Sequence, residues 1–266
     1  MRNPWIVGVS GASGTPYARA LIRALLDAGE PVDLIVSRAA RLTLLDETGA
    51  TVRDAHWKDD VAAWLGRDLD DLAYWPVGDL AAGPSSGSYP ARGMAVVPAS
   101  TAACAGIAIG LSKDLLQRAA EVNLKERRRT VIVPRETPVT RSHLEHLIAL
   151  HDAGAVVLPA SPGFYGAGAR ATAGQLVDFV AGKVLDALGV PHELFLPAGP
   201  VISGPDARTS CLKWGINALC EASAQSVRRS VTGARVRRAT VARSVRGVVL
   251  AHFLDHSVAL EQRTDL

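Results

Sequence analysis

The feature that most constrains the fold is the alternation of short, continuously apolar runs with longer helical patterns. Buried strands are predicted over Trp5–Val9, Val32–Val36, 94–98, 130–133 and 155–158, and a first helix over 16–28 is ended by Gly29. Runs without polar alternation suit a parallel sheet covered on both faces. The order predicts an α/β fold with a doubly wound, mostly parallel sheet, a Rossmann-like or flavodoxin-like three-layer sandwich.

The chain is long enough for one domain of ordinary size plus an appendage, at 266 residues. The alternating pattern weakens after Gly189, and 191–205 reads as a linker. We therefore predict a ligand-binding domain over residues 1–190, followed by a linker and C-terminal extension over 191–266 that the sequence does not assign to any element.

Composition narrows the class of protein. With 48% hydrophobic and 21% charged residues the chain is expected to form a packed core, and a net charge of +3, much of it from the Arg-rich stretch 228–246, indicates no general affinity for nucleic acid. Cys104, Cys211 and Cys220 lack CxxC spacing, which favours a reducing cytoplasm over a disulfide framework. Neither a signal peptide nor a membrane-spanning run is expected.

The first strand ends in a turn of small residues, GVSGASGT at 8–15, with Pro16 opening the next helix. Such a turn lets backbone N–H groups approach an anion at the helix N-terminus, and the hydroxyls of Ser10, Ser13 and Thr15 would add donors. The turn therefore predicts a phosphorylated ligand, with a tight turn that binds nothing as the alternative.

The type of ligand follows from what this turn lacks. It is neither GxGxxG nor a Walker A motif, because the glycine spacing differs and no Lys follows the last glycine. The second strand begins with Asp33 and closes on Ser37, so the carboxylate that would bind an adenosine ribose is missing from its usual place. A mononucleotide is favoured over NAD.

Two other chemistries are disfavoured by spacing. GVSGA at 8–12 falls one residue short of the GxSxG motif of hydrolases, and no His/Asp partners can be identified. His143, Glu145, His146 and His151 lie close together on a predicted helix without HExxH spacing, so a solvated helix face is favoured over a metal site.

Charged and hydroxyl side chains follow two later strands. Ser100 and Thr101 come just beyond the run at 94–98, where open α/β sheets bind ligands. Lys125 lies near a helix end, and Arg135 and Glu136 follow the next strand, a combination that suits anion binding and proton transfer. Residues 127–129 are predicted to be an exposed basic helix end.

Several segments, in this order, resemble the UbiX flavin prenyltransferase family, also called the phenylacrylic acid decarboxylase-associated family. They are GVSGASG, the SSGS loop, MAVVPAST, LKERRRTVIVPRETP, GAVVLPASPGFY and LVDFVAGKVLDALG, and they cover roughly residues 3–190. The PRETP and PGFY segments are the most specific, and the C-terminal remainder is not covered.

The resemblance implies a function and an assembly. Members join a dimethylallyl group from dimethylallyl phosphate to reduced flavin mononucleotide (FMN), with bonds at flavin N5 and C6. The product, prenylated FMN, serves UbiD-type decarboxylases, and no metal is implied. Homododecamers with the active site between subunits are expected, which makes residues 1–190 the flavin-binding prenyltransferase domain.

The resemblance also implies site residues. FMN would be bound by Gly11, Ala12, Ser13, Ser37, Ser100, Thr101, Ala102, Ala103 and Arg135. Dimethylallyl phosphate would be bound by Gly87, Lys125, Arg135, Glu136, Tyr165 and Lys183. Ser13 and Glu47 would lie near the reacting flavin nitrogen, Lys125 would stabilise charge on the leaving phosphate, and Glu136 would help to move protons.

The sequence departs from the family pattern at a few positions. Leu80 replaces a Trp that would offer an aromatic face to a carbocation, and Ala103 replaces a hydroxyl residue. Lys183 stands where Arg is common, with a spacing from Tyr165 about two residues longer than usual.

Two other functions are compatible with parts of this pattern. The segment PAST at 98–101 resembles the start of a loop in FMN-dependent cysteine decarboxylases of the phosphopantothenoylcysteine or lantibiotic type, although the Asn-Thr and Pro-x-Met-Asn motifs are absent. A non-enzymatic flavin-binding partner protein is the second alternative.

Overall fold

A computed structural model of the chain describes residues 3–164 and 171–195. Within these residues six strands form one sheet: β1 (Trp5–Val9), β2 (Val32–Val36), β3 (Leu72–Tyr74), β4 (Gly93–Ala99), β5 (Arg129–Pro134) and β6 (Val156–Val157). The order across the sheet is β3-β2-β1-β4-β5-β6, and all neighbours are parallel. This is the strand order of the Rossmann fold, so the predicted fold class is confirmed.

Seven α-helices lie between or after the strands within the described residues. They are α1 (Thr15–Asp27), α2 (Arg38–Thr48), α3 (Trp57–Leu65), α4 (Thr101–Ala108), α5 (Leu115–Lys125), α6 (Arg141–Asp152) and α7 (Ala173–Leu188). The first helix begins with Pro16 in its first turn and is followed by Gly29 at φ 72°, a conformation that glycine adopts without strain.

Each face of the sheet carries its own core. On one face, side chains of β1, β2, β4 and β5 pack with α1, α2, α3 and α7, and Leu21, Leu25 and Val184 are among the fully buried members. On the other face, Ile6, Met94 and Ile132 pack with α4, α5 and α6. Because both faces are covered, the strands carry continuous apolar runs, which is why the sequence pattern identified them.

The amino ends of the strands lie along one edge of the sheet and their carboxyl ends along the opposite edge, and α5 and β5 each run from one of these edges to the other. The start of α5 lies at the carboxyl ends of the strands, where the Leu115 N–H donates to the Val77 carbonyl. The helix then runs to the opposite edge, over about 16 Å. β5 returns over about 20 Å. Within one chain, Lys125 therefore lies at the edge formed by the amino ends of the strands, and Arg135 at the edge formed by their carboxyl ends.

The predicted element boundaries are close to those observed, with one strand missed. The strand predicted over 94–98 extends over Gly93–Ala99, and the one predicted over 155–158 is reduced to Val156–Val157. β3 was not predicted. None of the helices within the described residues is long and apolar enough to span a bilayer. The predicted extension over 191–266 falls almost entirely outside the described residues.

Candidate active site

A pocket of about 420 Å³ lies at the carboxyl ends of the strands. It sits where β1 and β4 are neighbours and the chain winds in opposite directions, the position at which open α/β sheets bind ligands. Its volume is in the range of small-molecule sites. Its lining residues are Ser10, Gly11, Ser37, Arg38, Ala39, Val77, Gly78, Ser100, Ala102, Ala103, Lys113, Asp114, Leu116 and Gln117.

Ser10 joins the two strands that frame this pocket. Its buried hydroxyl donates to the Pro98 carbonyl at 2.8 Å and accepts from the Ser100 N–H at 2.7 Å. A serine hydroxyl has a single proton to donate, so the expected role of Ser10 as a donor to the ligand is wrong. It fixes the ends of β1 and β4 instead.

Gly11 lets the first turn approach α2 closely. A Cβ atom built at Gly11 would lie 2.4 Å from the Cβ and 3.1 Å from the carbonyl carbon of Ala39. Any side chain would therefore force the turn and the start of α2 apart. The small residues of the turn serve this approach as well as access to the ligand.

Glu47 occupies the anion position at the start of α1. Its carboxylate accepts from the Gly14 N–H at 2.8 Å, the Thr15 N–H at 2.8 Å and the Thr15 hydroxyl at 2.6 Å. Burial alone would raise the pKa of Glu47, but these bonds, together with one from the Ser13 side chain, outweigh burial and lower the pKa. The expected ligand phosphate at this helix terminus is therefore replaced by the protein's own carboxylate.

Two other helix N-termini face the pocket. The Ser37 hydroxyl oxygen accepts from the Ala40 N–H at 3.1 Å, and the Ser100 hydroxyl oxygen accepts from the Ala103 N–H at 3.2 Å. Each hydroxyl keeps its proton available to a ligand. Arg38 lines the pocket beside Ser37, so this side carries the positive charge that a phosphate needs.

Arg135 and Glu136 follow β5 at the same edge of the sheet. The Arg135 Nε donates to the Ser13 carbonyl at 3.2 Å, so the cation lies over the first turn, as predicted from the end of the strand. Glu136 is exposed, and its carboxylate accepts from the Thr137 N–H at 3.0 Å. It lines an apolar groove of about 230 Å³ on the other side of α4, together with Thr101.

The remaining FMN residues are spread over this edge. Ala12 is buried in the first turn and does not line the pocket, whereas Ala102 and Ala103 do. Thr101 faces the apolar groove and not the main pocket. Of the nine residues predicted to bind FMN, five line the pocket, and Ala12, Ser13, Thr101 and Arg135 do not.

Gly87 and Lys125 form a second cluster at the opposite edge. A Cβ atom at Gly87 would lie 2.8 Å from the Lys125 Nζ, and Glu126 forms an ion pair with the same ammonium. Lys125 is therefore distant from Arg135 and Glu136 within one chain. A single ligand could meet both clusters only if two copies of the chain contributed to one site.

Lys183 joins neither cluster. It lies on α7, on the face of the sheet opposite α5, where its ammonium pairs with Asp186 at 2.9 Å and lies 5.0 Å from the centre of the Phe195 ring. Tyr165 lies outside the described residues. The phosphate-binding roles of Lys183 and Tyr165 stay predictions.

The prediction that residues 127–129 are an exposed basic helix end is wrong for Arg128, which is half-buried, and for Arg129 only in its placement, because Arg129 is exposed but begins β5. Arg127 is exposed. The Arg128 guanidinium, by contrast, donates to the Gly87 carbonyl at 2.6 Å, and that of Arg129 donates to the Leu188 carbonyl at the end of α7. A run of basic residues gave no sign of these carbonyl partners.

The aromatic residue that the family pattern has at position 80 is a leucine in this chain. Leu80 is half exposed. Trp75 instead packs edge-on against Tyr89, with ring centres 6.2 Å apart. No group of three or more His, Cys, Asp and Glu among the described residues could hold a metal, and His143 contributes to the capping box of α6.

Four polar pocket residues, Arg38, Lys113, Asp114 and Gln117, were missed by the sequence reasoning. Arg38 directly follows the predicted Ser37 and could have been included as the first cation of α2. Lys113 and Gln117 flank the start of α5, and the Lys113 N–H donates to the Gln117 side-chain oxygen at 3.3 Å. Their position in the pocket depends on how α5 packs, which no local pattern indicates.

Two relatives that are similar in sequence over most of this chain are flavin prenyltransferases. The chain is 64% identical to a flavin prenyltransferase UbiX of Streptomyces coelicolor over 204 residues, 72% of this chain and 93% of the relative. It is 40% identical to that of Halalkalibacterium halodurans, over 72% of this chain and 91% of the relative.

Two solved structures that are similar to this chain also carry the UbiX name. A crystal structure of AnUbiX in complex with FMN and dimethylallyl pyrophosphate matches with a TM-score of 0.66 and 33% identity, over 74% of this chain and 98% of that one. A dodecameric FMN-dependent Ubix-like decarboxylase from Escherichia coli O157:H7 matches with a TM-score of 0.62 and 37% identity, over 71% and 96%.

The Rossmann-type sheet and the pocket at the ends of β1 and β4 define an α/β flavoprotein, and the Flavoprotein family model matches residues 1–185. Within that class, the chain belongs to the flavin prenyltransferase UbiX family. The resemblance drawn from the sequence is confirmed, and the cysteine decarboxylase alternative is not favoured.

Proposed function

We propose that this protein joins a dimethylallyl group from dimethylallyl phosphate to reduced FMN, at N5 and C6, and releases inorganic phosphate. The observation that carries the proposal is the pocket at the ends of β1 and β4, combined with the PRETP segment that brings Arg135 to the first turn. FMN supplies the nucleophilic ring atoms, and the protein binds, orients and handles protons and phosphate charge.

The residues of the pocket fit FMN. Hydroxyl protons of Ser37 and Ser100 are free to donate, and Arg38 and Lys113 supply positive charge at the wall of the pocket. The close approach of Gly11 to Ala39 leaves backbone, rather than side chains, beside the ligand. We infer that the flavin phosphate is bound at the α2 side, since Glu47 already fills the anion position of α1.

The prenyl donor requires groups that stabilise a leaving phosphate and a group that moves protons. We assign the first role to Lys125 beside Gly87, and the second to Glu136. Ser13 and Glu47, which share a hydrogen bond, are assigned to the reacting flavin nitrogen. Tyr165 and Lys183 are proposed as further phosphate ligands.

We propose that each active site is shared between subunits of a homododecamer. Lys125 and Glu136 lie at opposite edges of one sheet, roughly 20 Å apart along β5. They can act on one donor molecule only if the Lys125 edge of one copy meets the Glu136 edge of another. Delivery of prenylated FMN to a UbiD-type decarboxylase, in the cytoplasm, completes the proposal.

The direct test is anaerobic incubation of the full chain with reduced FMN and dimethylallyl phosphate, followed by mass analysis of the flavin. The proposal expects a flavin heavier by one five-carbon prenyl unit and one equivalent of released phosphate. A parallel reaction with dimethylallyl pyrophosphate identifies the preferred donor. Unchanged flavin mass with both donors, under conditions where the Streptomyces coelicolor relative is active, would refute the proposed function.

A further inference from the structure

The loop that carries Gly87 is attached to the rest of the protein by side chains outside the predicted site. We call residues 83–91 the Gly87 loop; it crosses α5 and leads into the start of β4. Arg128 donates to the Gly87 carbonyl at 2.6 Å, Arg118 donates to the Ser85 carbonyl at 3.2 Å, and the Tyr89 hydroxyl donates to Asp33 at 2.5 Å.

Asp33 attaches the end of the loop that leads into β4, through Tyr89. It is a fully buried carboxylate in β2, and no hydrogen-bond partner for it was predicted from the sequence. A buried carboxylate is costly unless it accepts hydrogen bonds, and the Tyr89 hydroxyl supplies one. The Tyr89 ring also fills the space beside Gly83, where a Cβ atom would lie 2.6 Å from it. The end of the loop is therefore fixed to the core of the sheet.

Arg128 attaches the middle of the loop, at Gly87. Its half-buried guanidinium donates to the carbonyl of Gly87, which lies against the Lys125 ammonium. A hydrogen bond from a charged donor is stronger and more directional than a neutral one. Loss of this bond would free the Gly87 peptide to rotate and change its separation from Lys125.

We infer that Arg128 and the Asp33–Tyr89 pair are positioning residues, which hold the Gly87 loop against Lys125 so that the two together receive the phosphate of the prenyl donor. This inference rests on the proposed function. Neither group acts on the reacting atoms. Their effect is expected on donor binding, and the flavin pocket at the opposite edge of the same chain is expected to keep its affinity.

The test compares Arg128→Met with Arg127→Met, which removes the same charge from the exposed neighbouring residue. With saturating reduced FMN, Arg128→Met should raise the KM for dimethylallyl phosphate by about tenfold or more, the effect of losing a charge-assisted hydrogen bond, with kcat less affected. Tyr89→Phe, which leaves all charges in place, should raise KM about threefold or more. Arg128→Lys should recover part of the loss, and FMN affinity should stay within about twofold in every variant.

Equal KM values for Arg128→Met and Arg127→Met, or a wild-type KM for Tyr89→Phe, would overturn the inference while the proposed function stands. If wild-type protein forms no adduct, the proposed function fails and this role fails with it. Amide hydrogen exchange of residues 83–91 separates the causes, because faster exchange in Arg128→Met is expected only if that side chain holds the loop. Should Arg128→Met not fold, Arg128→Lys and Tyr89→Phe decide the question.

Discussion

Replacing Glu136 with glutamine is expected to slow prenylation by about a hundredfold or more, the range for loss of an acid–base group. Glutamine has the same shape but cannot accept or release a proton at neutral pH. Glu136 is exposed just after β5, and within the described part of the chain its carboxylate makes only a local bond to the Thr137 N–H, so folding should be unaffected. The measurement is the single-turnover rate of adduct formation, with FMN affinity determined separately by fluorescence titration.

Glu145→Gln is the matched control for this variant. Glu145 lies on α6, is exposed, and pairs with Arg141 four residues earlier, as many surface carboxylates do. Its replacement should leave the rate within about twofold, since exposed pairs contribute little. Adduct formation at the wild-type rate in Glu136→Gln would show that the proton-transfer role belongs to another group.

Replacing Gly11 with alanine is expected to reduce FMN affinity by about tenfold or more. The added methyl group would lie 2.4 Å from the Cβ of Ala39, and both residues line the pocket. The start of α2 must therefore move, which should also lower the free energy of unfolding by about 1–3 kcal/mol, the usual cost of overpacking. FMN titration and urea unfolding of the flavin-free protein measure the two effects.

Gly174→Ala is the control for this substitution. Gly174 lies in the first turn of α7, and the nearest atom to an added Cβ would be the Thr172 hydroxyl at 3.8 Å, an ordinary contact. Stability should be unchanged or slightly higher, because alanine favours a helix. Equal FMN affinity in Gly11→Ala and the wild type would contradict the role given to the close approach of the first turn and α2.

The fold was predictable because its central strands are buried on both faces. β1 and β2 carry only apolar residues apart from Asp33 and Gly8, and their predicted bounds match those observed. β3 is three residues long, too short for any periodic signal, and the structure identifies it only through its pairing with β2. Apolar runs thus located five of the six strands, and β3 required tertiary contacts.

The site was predictable where it follows directly from a strand end. Ser37, Ser100 and Arg135 each follow a strand and lie at the expected edge. The bond between Glu47 and the Gly14 N–H spans 33 residues, and the bond between Arg128 and Gly87 spans 41, so neither leaves a local pattern. The Glu47 carboxylate occupies the position at the start of α1 where the sequence predicted a phosphate, and no local pattern indicated this contact.

Mixed oligomers test most directly whether the active site is shared between subunits. Lys125→Met and Glu136→Gln remove one group from each edge of the sheet, and each variant alone should be nearly inactive. Subunits of the two variants, carrying different affinity tags, are produced together, and oligomers that contain both are purified. If each site combines the Lys125 edge of one copy with the Glu136 edge of another, random mixing gives about one quarter of the sites both intact groups, and about a quarter of wild-type activity returns. No recovery in mixed oligomers would mean that both groups act within a single chain and would contradict the account.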